Sequence, residues 1–120
     1  MVEKINVLEK FSLFNDHWNP RIAGELNGQQ VRLVKLLGEF TWHKHEQEDE
    51  LFFVIKGELR IEMRNETITL QENEFIIVPR QTEHRPVAEN EAWVMLFEPA
   101  STLNTGNVRN NFTKTDLRDI

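Results

Sequence analysis

Residues 43–57 read HKHEQEDELFFVIKG, and the fold and the candidate site both follow from this stretch. His43 and His45 stand two positions apart, and side chains two apart on an extended strand point to the same face. Glu50 opens the apolar run that follows, and His84 lies in a later run that begins at Pro79. Imidazoles and a carboxylate from neighbouring strands could close around one ion. They would form a mixed nitrogen and oxygen site with open coordination positions.

Short strand-like segments with turn residues between them continue on both sides of this stretch. The pair Asn27-Gly28 is the strongest hairpin signal among the turns. Short strands at steady spacing predict an all-β sandwich or barrel, with its core at about residues 22–98. The predicted strands cover residues 22–26, 31–37, 40–45, 51–55, 59–63, 67–70, 75–78, 85–88 and 93–97.

The two ends of the chain differ from this core. Ile5, Leu8 and Phe11 recur near helical spacing, which predicts a short amphipathic N-terminal helix over about residues 5–14. Residues 100–120 are rich in Thr, Asn and Gly, and we expect an extended or loosely packed tail there. A length of 120 residues predicts that helix, core and tail form one domain.

Three predicted strands, residues 51–55, 75–78 and 93–97, are apolar on both faces. An antiparallel sheet in a small monomer normally shows one polar face. The second face must be covered by the N-terminal helix, by the tail or by a second subunit, and we predict a homodimer. The side chains interpreted as core are Phe52, Val54, Phe75, Ile77, Trp93, Met95 and Phe97.

Composition narrows the class of protein. The net charge of -6 argues against a nucleic acid or an anionic membrane as partner, because either would need a basic stripe. The chain has no cysteine, which removes disulfides, thiol nucleophiles and thiolate metal ligands. The sequence shows neither a secretory signal pattern nor an apolar run long enough for a membrane span, so we expect a cytoplasmic protein.

The central stretch resembles the first signature motif of the cupin superfamily, usually written G-x5-H-x-H-x3-4-E-x6-G. His43, His45, Glu50 and Gly57 fit its spacing, and Gly38 precedes His43 by four residues rather than five. Members of this superfamily are small double-stranded β-helix barrels of the jelly-roll type. The resemblance therefore implies a small single-domain, metal-binding cupin.

The second signature motif, usually G-x5-P-x-G-x2-H-x3-N, is matched less completely. Pro79 and His84 fit, while Asn73, Gln81 and Ala88 replace the two glycines and the asparagine. Glycine at the position of Gln81 would allow a positive φ, so the turn before His84 departs from the family pattern here.

The resemblance covers about residues 31–98, and residues 103–107 also look like a subgroup of small uncharacterised cupins. It implies that His43, His45, Glu50 and His84 bind one divalent metal inside the barrel. Neutral imidazoles and a carboxylate suit Mn, Fe, Co, Ni, Cu or Zn, and ligand type does not choose among them. Four protein ligands on an octahedral ion leave two positions for water, substrate or dioxygen. The remaining positive charge favours an enolate, catecholate or carboxylate as the added ligand.

Other polar residues are candidates for a role beside the metal. Glu98 is either a base in the pocket or the end of a strand, and we interpret it as the latter. Arg80 and Arg85 flank His84, and we interpret both as solvated. We interpret His17 as a structural or surface residue.

Three functions are consistent with these patterns. The leading hypothesis is a metal-dependent dioxygenase or oxidase acting on a small molecule that chelates through two oxygens. The second is a redox-neutral isomerase, epimerase or lyase on a sugar or keto acid, which needs a separate proton acceptor. Against it, the metal uses every histidine except His17. The third is a non-catalytic module that binds a small ligand. No helix-turn-helix pattern precedes the barrel, which argues against a DNA-binding regulator.

Overall fold

The structure, a computed structural model, describes residues 2–120, and the described chain contains one short helix and eight strands. The predicted all-β barrel with a short N-terminal helix is confirmed. The elements are α1 (Val7–Phe11), β1 (Arg21–Leu26), β2 (Gln29–Glu39), β3 (Glu50–Lys56), β4 (Leu59–Met63), β5 (Thr67–Leu70), β6 (Phe75–Val78), β7 (His84–Pro99) and β8 (Arg118–Asp119).

Strand β7 belongs to both walls of the barrel, because its two halves pair with different strands. In the first wall its N-terminal half pairs with β4, which pairs with β5. In the second wall its C-terminal half pairs with β3, which pairs with β6. The predicted strands at 85–88 and 93–97 are these two halves of one strand. β2 pairs along β7 from Gln29↔Pro99 to Glu39↔Val87, so two long antiparallel strands run through both walls.

The hairpin between β1 and β2 forms where it was predicted. Asn27 and Gly28 have φ values of 52° and 81°. Positive φ at both central residues is the type I′ geometry that suits the twist of a two-residue hairpin, and Asn-Gly is the pair that adopts it most readily.

Apolar side chains pack on both sides of the second wall. Its inner face contributes Phe52, Val54, Val94 and Leu96 to the main core. On the outer side, Phe11 of α1 stacks on Trp93 with ring centroids 5.0 Å apart. The helix therefore covers part of the second apolar face. Burying a side chain such as that of Phe11 contributes roughly 2 kcal/mol.

Helix α1 is shorter than the predicted span of residues 5–14. It begins after Asn6, whose side-chain Oδ1 accepts a hydrogen bond from the Glu9 backbone N–H at 3.1 Å. An Asn in this position satisfies one of the helix's free N–H groups and fixes its start. Within residues 2–120, no helix has the length and apolar character needed to cross a bilayer.

The interpretation of Phe75 and Ile77 as core is wrong, because they are 55% and 57% exposed. In β6 the side chains of Ile76 and Val78 face the main core instead. Both faces of this strand are apolar, so alternation could not indicate which one faces inward. Of the other residues interpreted as core, Phe52 and Val54 are buried, while Trp93, Met95 and Phe97 are half-buried on the outer face.

Residues 100–120 are more ordered than the expected loose tail. Thr102 and Thr105 are buried, and β8 pairs in parallel with β1. Asn104 holds the segment together, since its Nδ2 donates to the Phe112 carbonyl and its Oδ1 accepts from the Lys114 N–H. Side-chain to backbone bonds of this kind leave little periodic signal in a sequence.

The homodimer remains a prediction, and the outer face of β6 and β3 provides a place for it. Phe75 lies opposite Phe53, and Ile77 lies opposite Leu51, so these four side chains form one apolar patch. We expect light scattering at micromolar concentration to show a dimer, and Phe75→Lys to shift it to monomer, because a lysine would place a charge in the apolar patch. Leu13→Lys, an exposed apolar residue on another part of the surface, is the control. A wild-type species of 14.2 kDa contradicts the prediction.

Candidate metal centre

The four predicted ligand residues come from three places along the chain and meet inside the barrel. His43 and His45 lie between β2 and β3, Glu50 is the first residue of β3, and His84 is the first residue of β7. His43 and His84 form an isolated β-bridge, with N–H to carbonyl distances of 3.1 and 2.9 Å. The backbone itself therefore fixes the spacing of two imidazoles.

The predicted strand at residues 40–45 is wrong, because only this bridge at His43 forms in it. Lys44 bonds instead to Asn107, donating its N–H to Asn107 Oδ1 and accepting from the Asn107 N–H. Asn107 lies far along the chain from Lys44, so no local pattern in the sequence indicates this contact. Both histidine side chains are nevertheless buried and reach the same site.

The four side chains can each present one ligand atom to a common point. These atoms all lie within 4.8 Å of one another, and all four residues are buried. Glu50 Oε1 is 3.2 Å from His45 Nε2 and 3.4 Å from His84 Nε2. This separation is consistent with a cluster that closes around a single ion rather than with four unrelated buried groups.

Backbone carbonyls orient two of the imidazoles. His43 Nδ1 lies 3.0 Å from the Thr41 carbonyl oxygen, and His84 Nδ1 lies 2.9 Å from that of Thr82. A carbonyl can only accept, so we infer that Nδ1 carries the proton and that Nε2 presents its lone pair to the centre. Metal-binding histidines are commonly fixed by such a bond from the other ring nitrogen.

Several polar atoms at the centre are buried without a hydrogen-bond partner within the described chain. They are His45 Nε2, His84 Nε2 and Glu50 Oε1, together with the second ring nitrogen of His45, Nδ1. Leaving such atoms unpaired costs free energy, and a metal would satisfy three of them at once. The donor set thus fits a divalent transition metal, which His43, His45, Glu50 and His84 could hold.

Arg32 and Glu98 form a buried ion pair next to Glu50. Arg32 Nη1 donates to Glu98 Oε1 at 2.9 Å, and both side chains are almost completely buried. Glu98 follows Phe97, which pairs with Leu51 in the β3–β7 ladder, and its carboxyl group is close enough to interact with that of Glu50. Glu98 is therefore not merely the end of a strand, and it reaches the centre only through Glu50.

The C-terminal residues 100–120 pack closely against the segment that carries His43 and His45. At Gly106 φ is +54°, and a Cβ there would lie 2.2 Å from the Lys44 carbonyl oxygen and 3.1 Å from His43 Cδ2. Only glycine lets the tail approach this closely. Sequence reasoning linked residues 103–107 to a subgroup of cupins, but it gave them no role beside the histidines.

Gln81 adopts the conformation expected of glycine. Its φ is 65°, and its N–H donates to the His45 carbonyl at 2.7 Å. Asn73, at the other replaced glycine, also has a positive φ, of 68°. The turn before His84 thus keeps the geometry of the family pattern, and its hydrogen bond ties the third histidine's segment to the first two.

A small apolar cavity opens beside the cluster, with a volume of ≈ 30 Å³. His43 and Glu50 reach its wall, so ligand positions on a metal would face into it. Most of the remaining wall is apolar, with Trp18, Val34, Leu36, Phe40, Phe52 and Leu96 as its main side chains. A cavity of ≈ 30 Å³ has room for a group about the size of a water molecule.

The two flanking arginines and His17 lie away from this cavity wall. Arg80 pairs with Asp49 on the surface, and Arg85 pairs with Glu62. His17 Nε2 lies 2.7 Å from a carboxylate oxygen of Glu91 on the outside of the barrel.

Burial and charge shift the pKa values of the cluster in different directions. Burial, assisted by the charge of His84, lowers the pKa of His43 to about 4. Burial also acts to lower the pKa of His45, but the contact with Glu50 and its charge outweigh it and raise that pKa. Burial and the charge of Glu50 raise the pKa of Glu98 well above its usual range.

The low pKa of His43 predicts acid sensitivity of the metal-free protein. His43 takes up a proton near pH 6.5 when unfolded but only near pH 4 when folded. Its contribution to stability is therefore complete above pH 6.5 and is lost as the pH falls towards 4, by about 3 kcal/mol. His45 has the opposite sign, with a contribution that is lost as the pH rises through its raised folded pKa.

We expect urea denaturation with a chelator present to show this loss between pH 6.5 and 4. His43→Phe removes the titrating group and keeps a flat ring, so the pH dependence should flatten in this variant. Equal pH dependence in the variant and the wild type contradicts the assignment.

Comparison with known proteins identifies the family. The model of the cupin domain family matches residues 32–98, which is more than half of the chain. The chain belongs to the cupin family.

The chain is also similar to individual proteins. A cupin-2 domain containing protein from Shewanella frigidimarina NCIMB 400 is 48% identical with a TM-score of 0.78, over 79% of this chain and 93% of that one. Protein NMB1881 from Neisseria meningitidis is 32% identical with a TM-score of 0.75, over 82% of this chain and 100% of that one. The uncharacterized protein YdbB of Bacillus subtilis (strain 168) is 44% identical over 62 residues, 51% of this chain. The match spans 55%, about half, of that curated relative.

Proposed function

We propose that His43, His45, Glu50 and His84 bind one divalent transition metal and that the protein is a metal-dependent oxidase or dioxygenase. Its substrate would be a small molecule that chelates through two oxygens. The observation that carries the proposal is a buried cluster of three imidazoles and a carboxylate with unpaired ligand atoms, next to a cavity.

The metal would supply a positive centre that binds an anionic oxygen pair and, if it is redox-active, electron exchange with dioxygen. The chain's own residues would do the rest. Thr41 and Thr82 carbonyls hold two imidazoles in one tautomer. Phe40 and Phe52 would limit the access of water to the metal, because they form part of the apolar wall beside it. Glu98 and Arg32 act as positioning residues for the carboxylate of Glu50.

The fold alone does not choose between oxidation and isomerisation. A hydroquinone 1,2-dioxygenase (14% identity, TM-score 0.65) and a putative sugar phosphate isomerase from Acidithiobacillus ferrooxidans (18%, 0.55) both share it. The cavity supports oxidation, because an isomerase needs a proton acceptor beside the substrate. Among the described residues that line the cavity, the titratable ones are His43 and Glu50, and both are proposed ligands.

Oxygen uptake tests this function directly. Protein loaded with Fe(II) or Mn(II) is offered catechols, enediols and keto acids, and we expect dioxygen consumption that disappears in Glu50→Ala. Sugar phosphates are assayed separately for isomerisation. Isomerisation without oxygen uptake favours the redox-neutral hypothesis, and saturable ligand binding with neither activity favours a non-catalytic binding module.

A further inference from the structure

A second pocket lies between strands β1 and β2 and the segments that follow β7 and precede β8. Its volume is ≈ 330 Å³, which is enough for one small molecule. Residues 100–103 and 114–117 form most of its wall, and Ile22, Gln30 and Arg32 complete it. None of the four proposed metal ligands is among the described residues of this wall, so a molecule bound here would not touch the metal.

The hydroxyl group of Thr102 is buried in the wall of this second pocket without a hydrogen-bond partner. Thr102 is only 4% exposed, and its Oγ1 finds no partner within the described chain. Its backbone is fully used, since the N–H donates to the Pro99 carbonyl and the carbonyl accepts from Arg32 Nη1. An unpaired buried hydroxyl costs free energy, and a polar ligand in the pocket would satisfy it.

Arg32 has one more donor to offer in the same wall. A guanidinium group carries five N–H bonds. Nε donates to Gln30 Oε1, and Nη1 donates both to Glu98 Oε1 and to the Thr102 carbonyl. Nη2 donates one N–H to the Ala100 carbonyl, and its second N–H has no acceptor among the described residues. This last N–H is available to an acceptor in the pocket.

Lys114 brings a second cation to the wall. Its backbone N–H is held by Asn104 Oδ1, while its ammonium group forms no ion pair among residues 2–120. Asp116 is the one carboxylate in the described part of the wall, and it is exposed. In a chain with a net charge of -6, two cations and a free hydroxyl around one pocket favour an anionic ligand.

The remaining side chains of the wall distinguish between kinds of anion. Ile22, Leu103 and Leu117 lie in the wall, and all three are half-buried. Inorganic phosphate has no apolar surface to bury against them, and it brings up to two charges where Arg32 is already paired with Glu98. A carboxylate with a short hydrocarbon part would use the donors at one end and bury the other end.

We infer that the second pocket is a binding site for a small organic carboxylate. The carboxylate group would accept hydrogen bonds from Thr102 Oγ1, Arg32 Nη2 and Lys114 Nζ. Its hydrocarbon part would lie against Ile22 and the two leucines. The inference does not rest on the proposed function, because the pocket and the metal centre share no wall residue within the described chain.

Titration of the full chain with butyrate, followed by NMR of the backbone amides, tests this inference. Butyramide is the matched ligand, because it has nearly the same shape and no charge. We expect saturable shifts centred on residues 100–103 and 114–117, with butyrate bound at least about tenfold more tightly than butyramide. Inorganic phosphate, titrated in the same way, should bind at least about tenfold more weakly than butyrate.

Two variants of the wall test the proposed donors. Thr102→Val removes the hydroxyl and keeps the branched shape. Because Oγ1 has no partner in the described chain, this variant should be at least as stable as the wild type, yet bind butyrate about tenfold more weakly. Lys114→Met keeps the stem without the charge and should weaken binding roughly threefold. Lys4→Met, at an exposed lysine that does not line the pocket, is the control and should change nothing.

His45→Ala separates the second pocket from the metal, since a carboxylate can also bind a metal ion. This variant should bind butyrate as tightly as the wild type. The inference is overturned if butyrate shows no saturable binding, if His45→Ala abolishes it, or if butyramide or phosphate binds equally well. Unchanged binding by Thr102→Val also overturns it, because water alone then satisfies the hydroxyl. None of these results bears on the oxidative function, which oxygen uptake tests separately.

Discussion

Replacing His45 by alanine is expected to abolish stoichiometric metal binding while leaving a folded barrel. His45 Nε2 is buried at the centre, 3.2 Å from Glu50 Oε1, so the variant removes one of four donors and leaves His84 as the imidazole beside the Glu50 carboxylate. Metal binding to an imidazole is coupled to the loss of its proton. Loss of one of the four ligands, and of this coupling, should lower the metal affinity by orders of magnitude. Metal analysis of protein purified without a histidine tag measures this.

His17→Ala is the matched control, because His17 lies outside the barrel and pairs with Glu91. It should keep one metal per chain. Metal should also raise the melting temperature of the wild type and of the His17 variant, since a ligand that binds only the native state stabilises it. The same metal should leave the melting temperature of the His45 variant unchanged. Full metal content in that variant overturns the ligand assignment.

The second large effect is expected from Gly106→Ala. The new Cβ would lie 2.2 Å from the Lys44 carbonyl oxygen, and the positive φ of 54° disfavours any other residue. Because Lys44 stands between two proposed ligands, relief of the clash must move either the tail or the histidines. We expect a loss of roughly 3 kcal/mol in the free energy of unfolding and a metal affinity lowered by about tenfold or more.

Gly24→Ala provides the comparison for this experiment. A Cβ at Gly24 meets nothing within 4 Å, so the variant should be as stable as the wild type or slightly more stable. Chemical denaturation and competition with a metal chelator measure the two effects. If the Gly106 and Gly24 variants behave alike, the close contact between tail and histidine segment is not needed for the site.

The sequence predicted the barrel well because its strands are bounded by turn residues. β4 shows the cleanest case, since Leu59 and Ile61 alternate with Arg60 and Glu62 and only the first pair is buried. β6 shows the limit of the same signal. All four of its residues are apolar, so no alternation identifies Ile76 and Val78 as its inner pair.

Motif spacing brought together His43, His45, Glu50 and His84, and the structure places all four in one cluster. Motif spacing could not indicate the residues that hold these four side chains in place. The Arg32–Glu98 pair joins β2 to β7, and its partners Ala100 and Thr102 are backbone carbonyls. Contacts of this kind depend on the register of distant strands and on acceptors that every residue carries.

Gln81 keeps the backbone conformation of the glycine that it replaces in the second motif. A residue other than glycine suggested an altered turn, yet the backbone keeps a positive φ of 65° and its bond to His45. Its conformational cost, about 1 kcal/mol, is smaller than the combined stabilisation from the contacts around it. A motif position can therefore keep its backbone geometry when another residue replaces the usual one.

The continuity of β2 and β7 has a consequence for the rate at which a ligand can reach the centre. Both strands run through the two walls and pair on either side of an irregularity between Leu36 and Gly38, so the walls cannot part like the halves of a hinged enzyme without breaking backbone bonds. Entry must therefore depend on motions of side chains along the cavity wall, and rotations of exposed side chains take picoseconds to nanoseconds rather than the microseconds to milliseconds of domain closure. We expect association to follow a single exponential whose rate rises linearly with ligand concentration, without a plateau set by a slow opening step.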